Sequence, residues 1–105
     1  MNNPDYQASL DQFINDLRTD IGHPEVPFVV GGMVPYWVHQ AADRQAVEAI
    51  IADSPNRHLN VGFADPNIPF VIEKPDNTFD PIHYSAEGQR ELGQRYFTAY
   101  LGIVE

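Results

Sequence analysis

Glu25-Val26-Pro27-Phe28-Val29-Val30-Gly31-Gly32 is the stretch whose reading decides the fold. Glu25 to Val30 reads as a strand in which Val26, Phe28, Val29 and Val30 are nearly continuous in apolar character. A strand with one wet face alternates, so a run that does not alternate needs cover on both faces, as in a parallel sheet. Gly31-Gly32 closes it. Upstream, Tyr6, Leu10, Phe13, Ile14, Leu17 and Ile21 form the stripe of an amphipathic helix running from Pro4 or Asp5 to Arg18, with Gly22-His23-Pro24 as its stop. The other face of that helix, with Gln7, Asp11, Gln12, Asn15, Asp16 and Arg18, is expected to meet water. A helix leading into a buried strand is half of an α/β unit.

Downstream, Met33 to His39 is apolar and aromatic but irregular. It follows the C-terminal end of the strand, where open α/β sheets place ligand loops. Trp37 and His39 are therefore candidate pocket residues, although a lone Trp beside Val and Pro also suits plain core packing. A second helix is expected over Ala42 to Asp53, with Ala46, Val47, Ala49, Ile50 and Ile51 inward, Asp43 near its N-terminus, and Ser54-Pro55-Asn56 ending it. Leu59 to Phe63 reads as a second strand, Ala64 to Asn67 as a turn, and Pro69 to Ile72 as a third, edge-like extended piece, because prolines exclude a central position.

The last helix is expected to begin with Ser85 as its cap and Glu87 in its first turn. It runs to about Leu101, with Leu92, Tyr96, Ala99 and Tyr100 inward and Gly102 as the stop. Gly88 and Gly93 each lower its propensity by about 1 kcal/mol, which suggests close packing on a strand. The expected architecture is α/β: a partial three-layer domain over residues 1–105, with two or three mainly parallel strands and about three helices.

Composition bounds the function. The chain has 105 residues, 43% hydrophobic and 11% aromatic, which marks a globular domain. Six basic residues against fifteen acidic ones leave a net charge of −9, and the basic residues are scattered, so nucleic acid and anionic membrane are not expected partners. Cysteine is absent, excluding disulfides and thiolate metal sites. The polar start Met1-Asn2-Asn3-Pro4-Asp5 lacks the basic and apolar regions of a signal peptide, so a cytoplasmic location is the expectation.

Chemistry concentrates in Asp80-Pro81-Ile82-His83-Tyr84-Ser85-Ala86-Glu87-Gly88-Gln89. A carboxylate three residues before an imidazole can hold one ring nitrogen and stabilise the imidazolium, which prepares a general base for a nucleophile. Asp80 and His83 are thus the candidate catalytic residues, with Trp37 and Tyr84 as candidate substrate-binding residues. The same Asp-x-x-His can also be a structural hydrogen bond that anchors its loop. His58, Asp65, Asp76, Asp80 and His83 offer nitrogen and oxygen ligands, but no His-x-x-x-His pairing occurs. No metal and no cofactor are expected.

The segment from Asp80 to Gly88 resembles the last block, D-x-x-H, of the SGNH or GDSL hydrolases. Gly88, Leu92-Gly93 and Tyr96 resemble the carbohydrate acetylesterase branch that includes the sialate O-acetylesterases. Leu10 to Arg18, Gly22, Pro24, Pro27 to Val30 and Ala46 to Ala52 resemble the preceding elements of that branch. The resemblance covers most of this chain but only the C-terminal half of such an enzyme. It implies an SGNH-like, flavodoxin-like sheet, Asp80 as the acid that orients the histidine, and His83 as the base that activates a serine and protonates the leaving alcohol. It places the serine and the oxyanion-hole Gly and Asn in blocks upstream of anything present here; Asn15-Asp16, in mid-helix without a preceding glycine, does not match.

The chain has three serines, Ser9, Ser54 and Ser85, none in a strand-to-helix elbow. The expectation is a half-domain inactive alone. The alternatives are a split esterase completed by another chain and acting on an acetylated carbohydrate, or a non-catalytic module that binds itself or a partner. A two- or three-stranded sheet leaves bare edges, so a homo-oligomer or a complementary chain is expected.

Overall fold

The computed structural model describes residues 5–73 and 82–105. Its elements are α1 (Tyr6–Asp20), β1 (Phe28–Gly31), α2 (Pro35–Val38), α3 (Ala42–Ala52), α4 (Ser54–Arg57), β2 (Val61–Ala64) and α5 (Ala86–Val104). β1 and β2 pair in parallel, with Phe28 opposite Val61, Val29 opposite Gly62, Val30 opposite Phe63 and Gly31 opposite Ala64. The chain is α/β, as the unbroken apolar run of β1 requires.

Side chains on a strand alternate between faces, and the register gives the two faces different character. Phe28, Val30 and Phe63 face the helices α1 and α3, where Val30, Val47 and Ile51 form a core packed by Tyr6, Leu10 and Met33. The opposite face carries small residues. A Cβ on Gly31 would overlap the Tyr96 ring, and one on Gly62 would press on Ile103 and on the Ala99 carbonyl at 3.2 Å. α5 can lie directly on the sheet because its neighbours there have little or no side chain.

Several boundaries differ from expectation. α3 stops at Ala52, just before Ser54-Pro55-Asn56 as expected, but that stretch then opens the one-turn α4, with proline in the first turn, where its missing N–H costs nothing. Residues 69–72 form no strand; the Ile72 N–H returns to the Pro66 carbonyl at 2.8 Å, folding the segment over the end of β2. α5 runs through Gly102 to Val104. The close-packed glycine of α5 is Gly88, whose Cβ would meet Ile72 at 3.0 Å, whereas Gly93 faces open space. Ala46 and Ala49 are exposed on α3, where Val47 and Ile51 carry the burial.

Arg18 is the largest departure. It was expected in water, yet it is 5% exposed and Ile14 is fully buried, whereas Phe13 is 57% exposed. The inward face of α1 is therefore rotated toward Arg18. Its guanidinium donates to the carbonyls of Val26 at 2.8 Å, Leu59 at 2.9 Å and Asn60 at 3.3 Å. Those carbonyls precede β1 and β2, so one side chain ties together the starts of both strands. Asn60 has φ 58, a left-handed conformation that asparagine tolerates, and its side-chain amide donates to Glu25 O at 2.9 Å.

Candidate functional site

Two clusters of charge lie at opposite ends of the sheet. At the N-terminal end, Asp11 of α1 accepts from Arg57 Nε at 3.0 Å and contacts His58 Nε2 at 2.8 Å. Arg57 also reaches Ile50 O at 3.0 Å and Asp53 at 3.2 Å. Burial raises the proton affinity of Asp11, but the hydrogen bonds from His58 and Arg57 outweigh it and hold the carboxyl below its usual range. The His58 side chain is only 9% exposed. This Asp–His pair joins α1 to the residue that follows α4.

At the C-terminal end, Gly32 leaves β1 between the Glu48 carboxylate and the Pro66 ring. Glu48 of α3 accepts the Met33 N–H at 2.9 Å, and the Tyr84 hydroxyl donates to the Gly32 carbonyl at 2.6 Å. A Cβ on Gly32 would overlap both Glu48 and Pro66. Burial raises the Glu48 pKa; the Met33 hydrogen bond opposes this and the Asp65 charge adds to it. Burial, with the charge of Glu48 behind it, also pushes the Tyr84 phenol up, so the hydroxyl stays protonated and donates. Tyr84 thereby fastens the residue after His83 to the exit of β1.

His83 itself is exposed at the mouth of α5. Ser85 caps that helix as its sequence position suggests, its Oγ accepting the Gly88 N–H at 3.1 Å. Asp80, and Asp76 of the metal reading, lie outside the described residues. Trp37 sits in α2 with the Arg44 guanidinium 4.2 Å from its ring centroid, and Arg44 Nη1 donates to its carbonyl at 3.1 Å. Trp37 and Tyr84 thus both lie beyond the C-terminal end of β1, while His39 is exposed after α2.

The serines have separate places. Ser9 is exposed on α1. Ser54 is fully buried, its Oγ donating to Ile50 O at 3.4 Å and accepting from Arg57 at 3.3 Å. Among the described residues no group of three or more His, Asp and Glu is placed to hold a metal ion, and no helix is long and apolar enough to cross a membrane.

Sequence reasoning missed Arg95. It is 8% exposed and donates to Asp65 O and Phe70 O, both at 2.8 Å, with its guanidinium 4.7 Å from the Phe70 ring. It clamps the segment after β2 onto α5. Its spacing three residues after Leu92 and four before Ala99 puts it on the inward stripe, which was the available signal.

The sequence model of a carbohydrate esterase family, the sialic acid-specific acetylesterases, matches residues 1–102. No curated protein matches the chain, and no solved structure does.

Proposed function

Because the chain belongs to the carbohydrate esterase family of sialic acid-specific acetylesterases, we propose that it is an SGNH-like half-domain carrying the acid and base of a serine-esterase site, Asp80 and His83, and that it is inactive alone. The observation that carries this reading is the distribution of serine oxygens. Ser85 Oγ serves as a helix cap, Ser54 is buried at the other end of the sheet, and Ser9 is on the outer face of α1. None stands beside His83 in an elbow where an attacking oxygen could meet an ester.

In this reading Asp80 orients His83, and His83 takes the proton from a serine supplied by residues outside these 105, then returns it to the leaving sugar hydroxyl. Tyr84 holds the His83 loop against β1 through Gly32, and the Trp37 and Tyr84 rings contribute the wall against which an acetylated carbohydrate rests. The outer edges of β1 and β2 are where a serine-bearing chain, or a second copy of this one, adds to the sheet.

The test is hydrolysis of p-nitrophenyl acetate by the chain alone and after co-expression with a family segment bearing the serine, Gly and Asn blocks. Alone, the chain hydrolyses the ester no faster than free imidazole. In the complemented protein, His83→Ala and Asp80→Ala each lower kcat on the order of 10⁴-fold. Activity of the chain alone that disappears in both variants would refute the inactive half-domain and require a local nucleophile.

A further inference from the structure

A concavity of about 460 Å³ lies away from His83, between β2, the residues after it and the middle of α5. That volume falls within the range of small-molecule sites. Phe63, Ile68, Pro69 and Ala99 supply its apolar surface, and Asp65, Glu91, Gln94 and Thr98 its polar one.

Arg95 also lines the concavity, and its hydrogen bonds decide what the cavity can hold. Both terminal nitrogens of this buried guanidinium are taken by the carbonyls of Asp65 and Phe70. Its Nε is buried, has no hydrogen-bond partner among the described residues, and faces Glu91 Oε1 at 3.6 Å. The only cation in the lining therefore offers a ligand little. Thr98 Oγ1 donates its proton to Gln94 O at 3.1 Å, leaving lone pairs free. What the lining presents is mostly acceptors: the Glu91 carboxylate, the Asp65 carboxylate, one oxygen of which already accepts the Asn67 N–H at 2.8 Å, the Thr98 oxygen and the Gln94 amide, whose NH2 adds two donors.

An occupant must then be rich in donors and must carry an apolar face for Ile68 and Pro69. Arg95 balances only one of the two carboxylates, and the whole chain carries −9, so an anion is disfavoured. A neutral polyhydroxylated ring meets both demands: its hydroxyls donate to the carboxylates while its C–H face covers the apolar floor. We propose that this cavity binds a neutral sugar ring, in preference to a carboxylate-bearing one. With a rise of about 1.5 Å per residue, Gln94 stands roughly 13 Å along α5 from Ser85, so this is a contact separate from the His83 site. The proposal goes beyond the esterase reading and stands without it, because binding needs no nucleophile.

The experiment is a ¹H–¹⁵N NMR titration of the full chain with methyl β-galactopyranoside and, separately, with sialic acid. The neutral sugar is expected to give saturable shifts at Phe63, Asp65, Ile68 and Gln94 to Ala99, with a dissociation constant on the order of 1 mM. Gln94→Ala combined with Thr98→Val, both at exposed helical positions, weakens it at least about fivefold while helical circular dichroism is unchanged. Gln94→Ala alone repeats the comparison if the double variant loses helicity. Sialic acid binds there at least about fivefold more weakly. Shifts that do not saturate, shifts elsewhere, variants with unchanged affinity, or equal affinity for the anionic sugar overturn the proposal.

Discussion

Two histidines of this chain stand at opposite ends of a two-stranded parallel sheet, and their surroundings differ in kind. His58, where the chain approaches β2, is nearly buried against Asp11, with Arg57 on the same carboxylate and Arg18 gathering the carbonyls before both strands. His83, at the far end, is exposed just before α5, next to Tyr84, whose hydroxyl reaches the Gly32 carbonyl. A buried imidazole in a closed network serves assembly, because no ester can reach it. The exposed one stands between the Tyr84 phenol and the Ser85 cap, open to solvent, which is where the proposed esterase reading needs its base. An Asp–His pair is therefore read by where its open side faces and not by its distance alone.

The contrast can be broken most sharply at Arg18. Replacing it by Ala removes the guanidinium donor from the carbonyls of Val26 and Leu59 and leaves Asn60 O with the Phe28 N–H alone, and the expected loss is about 3 kcal/mol. Urea denaturation should show the midpoint falling with little change in slope. Arg18→Lys should recover less than half of it, because an ammonium lacks the planar fork that reaches several carbonyls. A variant as stable as the parent would mean that the strand starts are held by something else.

Asp11→Asn is next, at about 2 kcal/mol near neutral pH, since it weakens the contacts of Arg57 and His58 together. The folded pKa of Asp11 lies below its unfolded value, so its contribution is present above the ordinary carboxylate range and is lost as pH falls through the depressed value. Denaturation midpoints of parent and variant, compared at neutral pH and near pH 3, should converge in acid. A constant gap would show that its charge is not what matters.

The other end should respond with the opposite sign. Glu48 has a raised folded pKa, so the folded state binds its proton more tightly than the unfolded one, and stability from this group increases as pH falls through the raised value. Tyr84→Phe removes the hydrogen bond to Gly32 and should cost about 1 kcal/mol. In the complemented protein it should also change the pH dependence of kcat/KM that reports His83, a readout that general destabilisation would leave alone. Smallest of all, Glu48→Gln retains an acceptor for Met33 N–H and removes the buried charge. It should change stability at neutral pH by only a few tenths of a kcal/mol, toward greater stability. If thermal melts show Glu48→Gln clearly destabilised, the ionised carboxylate is itself required at the exit of β1.

Much of this was legible in the residues. The continuous apolar run of Phe28 to Val30 specified a strand covered on both faces, the spacing from Tyr6 to Leu17 specified a helix, and Ser85 with Glu87 marked the start of α5. Local signals suffice where the partner is the same element or solvent. Arg18 was misjudged because a cation four residues after Ile14 looks like a solvated flank until the carbonyls of Leu59 and Asn60, more than forty residues on, are brought to it. Asp11 and His58 were no more visible as a pair, being 47 residues apart.

The sequence by itself thus determined the α/β class, the presence of the long helices, the family and the candidate acid and base, since each rests on periodicity or on residues close together in the chain. Only the tertiary structure decided which face of α1 is inward, which charges are buried, that Tyr84 reaches Gly32, and that the region beside Arg95 is rich in acceptors. Those outcomes depend on pairings between distant segments, and a buried charge goes wherever the fold offers enough carbonyls or carboxylates to replace its water.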